Sequence, residues 1–126
     1  MKEGITLDTG ALLALERGHR DIVVLLQSAR VNATPIAIPA GVLAQVFRDG
    51  ARQAPLSRLL GSPNVEVVPL DAPTAKDVGR LLSVRKQRDV VDASVVLCAR
   101  RRRHAVLTSD PDDLLALDPN LRVVRV

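Results

Sequence analysis

Short apolar runs alternate with longer segments of helical periodicity along the whole chain. Runs rich in β-branched residues predict five strands, at residues 5–7, 35–38, 65–68, 105–108 and 122–126. Apolar residues at helical spacing predict helices over residues 9–17, 21–29, 39–48, 56–60, 72–86, 89–101 and 111–117. Alternating strands and helices are typical of parallel sheets with right-handed crossovers. The pattern therefore predicts an α/β three-layer sandwich around a central, mostly parallel sheet.

Glycine and proline positions support these boundaries. Gly18 and Gly61 follow predicted helices, and Pro39 suits the first turn of the next one. No repeat, linker or low-complexity stretch interrupts the pattern. We therefore expect the 126 residues to form a single domain.

Composition narrows the class of protein. The chain is 47% hydrophobic, which fits a globular domain, but Phe47 is its only aromatic residue. The core must therefore be aliphatic, and we expect Phe47 to pack in it. The composition also excludes nucleic-acid-binding domains that stack bases on aromatic side chains.

The single Cys98 excludes an internal disulfide and is expected to be a buried, inert thiol. Without an apolar membrane span or a signal-peptide core, we expect a cytoplasmic protein.

Acidic residues follow the predicted strands at informative places. Asp8 comes directly after the first strand, and Asp110 follows the fourth after one intervening residue. The carboxyl ends of parallel strands share one edge of a sheet, where ligands bind in α/β folds. Asp92 lies in the first turn of the most apolar helix, three residues after Asp89. Three converging carboxylates favour a hard cation with oxygen ligands, Mg²⁺ or Mn²⁺.

Each of these acids also has a purely structural interpretation. Asp89 fits a helix N-cap, and Asp110 before Pro111 fits another, with Asp113 favourable in the first turn. Asp8 is harder to explain structurally. A charge between a buried strand and an apolar helix is costly unless it is paired or binds a cation.

Three motifs carry a family resemblance. LDTGALLAL at residues 7–15 resembles the opening motif of PIN-domain ribonucleases of the VapC toxin type. DVVDAS at residues 89–94 and TSDPDDL at residues 108–114 resemble the central and C-terminal acidic motifs of that family. The order and the strand-helix context agree over nearly the whole chain. A phospho-acceptor receiver domain has a similar layout, but it needs an acidic pair at the first strand and a late Lys, which this chain lacks.

The resemblance implies a PIN-like fold and a Mg²⁺- or Mn²⁺-dependent endoribonuclease, the toxin of a type II toxin–antitoxin pair. Asp8, Asp92 and Asp110 match three of the four family acids, which are catalytic and bind the metal. The family also implies an RNA substrate, a homodimer and a small antitoxin protein as partner. No membrane partner is implied.

The fourth acid is normally a Glu on the helix after the second strand, and Gln45 stands at that position. A Gln carbonyl still ligates or accepts a hydrogen bond, but it carries no charge and cannot act as a base. Asp89 or Asp113 would supply the missing carboxylate, and the Thr9 hydroxyl would position an acid or a water. The alternative is a catalytically weak binding or regulatory module with the same fold.

Several basic residues are candidates for contacts with RNA phosphates. Arg48 lies three residues after Gln45 and either projects towards the acids or is a surface residue near a helix end. Four successive helix positions cannot share one face, so the run Arg100, Arg101, Arg102, Arg103 must lie at a helix end or in a loop. Such a run either complements the helix dipole or contacts phosphate. His104 is also near enough to this run to touch phosphate.

Overall fold

The computed structural model describes residues 3–126 and contains the five predicted strands. They are β1 Ile5–Leu7, β2 Ile36–Pro39, β3 Val65–Val68, β4 Ala105–Thr108 and β5 Val123–Arg125. They form one sheet in the order β3-β2-β1-β4-β5. Every strand pairing in the sheet is parallel, which confirms the predicted α/β class.

Within residues 3–126, seven α-helices connect and cover the strands. They are α1 Thr9–Glu16, α2 Arg20–Val31, α3 Ala40–Val46, α4 Ala54–Leu60, α5 Ala72–Arg85, α6 Val90–Arg102 and α7 Pro111–Leu117. The third helix ends two residues earlier than predicted, because the backbone of Phe47 is extended and the Gln53 side chain accepts the Arg48 N–H. A short 3₁₀ turn, Gly50–Arg52, then precedes α4. None of the helices within residues 3–126 is long and apolar enough to cross a bilayer.

The order of the strands places the helices in two layers. From β1 to β3 the chain moves towards one edge of the sheet, and from β3 to β5 it returns past β1 to the other edge. With right-handed crossovers, α1–α4 cover one face and α5–α7 the other. Accordingly α1 packs against α2, α3 and α4, while α6 packs against α5 and α7. The direction reverses between β1 and β4, which creates a crevice at their carboxyl ends.

The core is aliphatic, as the composition predicts. Its largest fully buried side chains include Leu7, Leu12, Ile22, Ile36, Ile38, Leu56, Leu107 and Leu114. Helix α6 is buried on all sides over residues 93–99, and the prediction of a buried Cys98 is confirmed. The prediction that Phe47 packs in the core is wrong, since its side chain is 44% exposed. The extended backbone at Phe47 turns the ring out of the core and against Gly50.

A small polar group is enclosed between β1 and the end of α6. The Thr6 hydroxyl lies 3.0 Å from Nδ1 of His104 and 3.7 Å from the Cys98 sulfur. Burial lowers the pKa of His104, so its imidazole is neutral at physiological pH. The suggestion that His104 touches phosphate is therefore wrong, because the ring is buried against the backbone of Gly4.

The contact between Gly4 and His104 gives a stability prediction. A methyl group at Gly4 would overlap the imidazole ring, so Gly4→Ala should lower the free energy of unfolding by about 1–3 kcal/mol in urea denaturation. The double variant Gly4→Ala/His104→Ala should lose less than the sum of the two single losses, since the overlap is then removed. Strict additivity would contradict the contact.

Candidate active site

Asp8 is fixed at the crevice between β1 and β4. In the sheet Leu7 pairs with Leu107, so Asp8 emerges beside Thr108, and its N–H donates to the Leu107 carbonyl at 3.2 Å. Its carboxylate accepts from the Ala11 N–H at 2.9 Å and caps α1. Asp8 is a buried acid. Burial raises its pKa, against the opposing hydrogen bonds from Thr108 and Ala11.

Asp110 reaches the same crevice from β4. Its N–H donates to the Thr108 hydroxyl at 2.9 Å. It stands at the N-cap position of α7, but its side chain makes no capping hydrogen bond, so the capping interpretation is not supported. Thr108 thus contacts both acids, a role that we did not predict. The sequence signal for it is a hydroxyl residue at the last position of the strand, directly before Ser109 and Asp110.

Asp92 reaches the same crevice from the first turn of α6. Asp89 caps this helix, accepting from the Asp92 N–H at 2.9 Å, as the structural interpretation predicts. The Asp92 side chain is half-buried, and its pKa is raised to about 6. Burial is the main cause, followed by the charges of Asp89, Asp113, Asp8 and Asp110. These five carboxylates, which we call the acidic cluster, are therefore within electrostatic reach of one another.

Asp113 belongs to the cluster through Asp110. Its pKa is raised first by a hydrogen bond with Asp110 and then by the charge of that carboxylate. The pair lies one turn apart at the start of α7, at the solvent side of the crevice. Asp113 is thus placed beside the acids that the motifs indicate.

The acidic cluster fits a divalent cation that retains part of its water shell. Its donors are all carboxylate oxygens, the preferred ligands of Mg²⁺ and Mn²⁺. None of the leading influences on the pKa of Asp8 or Asp92 is a cation, so a bound positive ion would relieve their repulsion. In the described part of the chain no three acidic, His or Cys side chains converge tightly enough to chelate an ion directly. Mg²⁺ commonly keeps several waters, which suits such a spacing.

Gln45 stands at the rim of this cluster, tied to α1. The Thr9 hydroxyl donates to its Oε1 at 2.5 Å. Thr9 directly follows Asp8 in the chain, so the bond fastens α3 beside the crevice. The carbonyl oxygen of Gln45 is therefore already engaged, and its amide N–H groups remain as donors. Gln45 adds no charge to the cluster.

Arg48 does not project towards the acids. Its guanidinium donates to the carbonyls of Ala44 at 3.0 Å and Phe47 at 2.7 Å. These are carbonyls at the end of α3, which a cation stabilises. The structural interpretation of Arg48 as a residue of the helix end is therefore supported.

The arginine run at residues 100–103 also lies away from the acidic cluster. It occupies the last turn and the left-handed C-cap of α6. At about 1.5 Å per residue, Arg101 is roughly 14 Å along the helix from Asp92. The run therefore does not line the acidic cluster, and its contact with RNA phosphates stays a prediction. Three of its members form ion pairs: Arg100 with Asp118, Arg101 with Asp77 and Arg102 with Glu66.

Comparison with known proteins shows the family of the chain. The profile of the PIN domain matches residues 5–118. The chain belongs to the PIN domain family. The match includes both strand ends and the helix that carry the acidic cluster of this PIN domain. No curated protein sequence matches the chain significantly.

Several solved structures share this fold at low sequence identity. VapBC2 from Rickettsia felis, bound to a DNA fragment from its promoter, has a TM-score of 0.73 at 19% identity, covering 97% of this chain and 98% of that one. A toxin–antitoxin complex from Klebsiella pneumoniae has a TM-score of 0.70 at 20% identity, covering 96% of each chain. FitAcB from Neisseria gonorrhoeae has a TM-score of 0.64 at 22% identity, covering 94% and 95%. At these identities the likeness establishes the fold.

The raised pKa of Asp92 predicts a gain in stability when its charge is removed. In the metal-free protein at pH 7.5, Asp92→Asn should raise the free energy of unfolding by about 1 kcal/mol, after allowing for solvent screening. The charged form is disfavoured in the fold, so the gain should be full above about pH 6. It should shrink as the pH falls towards the ordinary Asp pKa of 3.8 and vanish below it, where the carboxyl is protonated in both states.

Asp71 provides a control of opposite sign. It caps α5, and a hydrogen bond with Thr74 lowers its pKa. Asp71→Ala should therefore destabilise the protein at pH 7.5. Urea denaturation from pH 4 to 8 measures both variants, and destabilisation by Asp92→Asn would contradict the repulsion within the acidic cluster.

Proposed function

We propose that this PIN domain is a Mg²⁺- or Mn²⁺-dependent endoribonuclease that hydrolyses RNA phosphodiesters at the acidic cluster. The observation that carries the proposal is that five carboxylates lie within electrostatic reach of one another at the reversal point of a parallel sheet, with the pKa of Asp92 raised to about 6. Gathering like charges without a compensating cation costs stability, which is typical of a site built for function.

Asp8, Asp92 and Asp110 would hold the ion, partly through water. When bound, a divalent ion supplies a more acidic water and neutralises charge that develops on the phosphate oxygens. Asp8 is the most firmly positioned of the three, because its carboxylate accepts from the backbone of α1 and is buried beside Thr108. The Asp110 side chain makes no capping hydrogen bond, so binding an ion would not break one.

The remaining polar groups would orient the substrate and water. A water oxygen attacks the phosphorus as the opposite P–O bond breaks, and the departing oxygen takes a proton. Asp89 and Asp113 stand beside Asp92 and Asp110, where they add negative charge that supports cation binding. Gln45 offers amide donors at the rim, since Thr9 engages its carbonyl.

We further propose that the protein is the cytoplasmic toxin of a type II pair, forms a homodimer and is neutralised by a small antitoxin. The similarity of its fold to VapBC2 and to the Klebsiella pneumoniae toxin–antitoxin complex supports this proposal. The antitoxin would act by covering the acidic cluster or its surroundings.

A second candidate function is a catalytically weak binding or regulatory module. Gln45 favours it, because the neutral amide leaves the cluster with one charge fewer than a Glu would provide. The engaged carbonyl of Gln45 also makes it a poorer metal ligand. The two functions differ in whether the unmodified protein cleaves RNA.

The first functional prediction concerns metal dependence. RNA cleavage by the purified protein should require Mg²⁺ or Mn²⁺ and stop in excess EDTA. Asp8→Asn and Asp92→Asn should each lower the cleavage rate about 100-fold or more. Replacing a residue that only contacts the metal ligands typically costs less than this. Asp71→Asn, a remote helix cap, serves as the matched control and should cleave normally. Undiminished cleavage in EDTA would refute the metal mechanism.

The second functional prediction separates the two candidate functions. Gln45→Glu should still accept the Thr9 hydrogen bond and should add a negative charge to the cluster. We expect the Mg²⁺ concentration for half-maximal cleavage to fall several-fold. The added charge is partly exposed, and its attraction to the cation should strengthen binding by about 1 kcal/mol. If the unmodified protein were inactive in a metal titration and Gln45→Glu cleaved RNA, the regulatory module would be the better description.

A further inference from the structure

The loop between α5 and α6 carries exposed cations beside the acidic cluster. Arg85 is the last residue of α5, Lys86 its left-handed C-cap, and Arg88 the residue before the Asp89 cap of α6. All three basic residues are exposed. None of the ion pairs that the structure describes within residues 3–126 involves them.

The packing of the two helices fixes where this loop lies. Arg101 near the end of α6 bonds Thr74 and Asp77 near the start of α5, so the helices run antiparallel. The end of α5 therefore lies beside the start of α6, where Asp92 faces the crevice. Arg88 stands directly before the Asp89 cap of α6 and four residues before Asp92 in the chain.

A nuclease with five clustered carboxylates needs cations nearby to hold a polyanion. A single divalent ion offsets only part of the negative charge of the cluster. The other candidates are engaged elsewhere, because Arg48 donates to backbone carbonyls and the run at residues 100–103 is largely ion-paired at the far end of α6. The α5–α6 loop is the basic segment that combines exposure with proximity to the cluster.

We propose that Arg85, Lys86 and Arg88 bind the RNA backbone next to the phosphate at the acidic cluster. The proposal rests on the ribonuclease function given above and names the segment that holds its substrate. Lys86 has a φ of 53°, a left-handed conformation that glycine adopts more readily. That conformation turns the chain sharply from α5 into α6 and so places the loop beside Asp92.

The test measures RNA binding without cleavage. Every variant is made in the Asp8→Asn background, in Mg²⁺, with a fluorescein-labelled single-stranded RNA of mixed sequence followed by anisotropy. Lys86→Gln/Arg88→Gln should weaken binding about 25-fold at 0.1 M salt and lower the slope of log K against log salt by about 1.4, as expected for two lost phosphate contacts. The control Arg100→Gln/Arg103→Gln removes the same charge at the far end of α6, keeps the contacts of Arg101 with α5, and should change affinity less than about twofold.

A second variant separates binding from folding. Lys86→Gly removes one charge and relieves the left-handed conformation, so it should raise the Tm while weakening RNA binding about fivefold. Equal losses for the loop and control pairs, or no loss for the loop pair, would overturn the proposal. If the unmodified protein neither binds nor cleaves RNA, the proposed function itself is wrong. If it cleaves RNA but the loop variants bind normally, only this inference is wrong.

Discussion

The pairing of β1 with β4 is the interaction on which the rest of the site depends. These strands are distant in sequence, and their parallel register sets Leu7 against Leu107. The next residues, Asp8 and Thr108, then emerge together where the chain direction reverses. A shift of one residue would turn every side chain of one strand to the opposite face. The aliphatic core that fixes this register therefore also fixes the spacing of the acids.

Much of this arrangement could be predicted from sequence, because it follows from element order. Short β-branched runs, helical periodicity and acids after strand ends are local signals, and they predicted the sheet and the shared edge of Asp8 and Asp110. The parts that could not be predicted depend on partners from distant elements. Thr108 contacts both Asp8 and Asp110 only because β1 lies beside β4 in the folded sheet. The exposure of Phe47 follows from an early end of α3, where a Gln53 side chain substitutes for the next helical bond.

The charges of the protein are distributed along α6 as its dipole favours. The acidic residues Asp89 and Asp92 stand at its positive end, and the arginine run stands at its negative end. The run is therefore explained by helix stability and by its ion pairs, although its sequence suggested phosphate binding.

The burial of α6 on all sides has a consequence for how the site moves. Seven consecutive residues, 93–99, have no solvent face, so the amide hydrogens of this segment exchange with solvent mainly through global opening of the fold. The α5–α6 loop beside it is exposed and has few buried contacts, so its amides open locally. Asp92 thus lies directly before this slowly exchanging segment, while Arg88, four residues earlier, lies in the exposed loop. The acidic cluster therefore stands at the boundary between a rigid helix and a loop whose amides open locally.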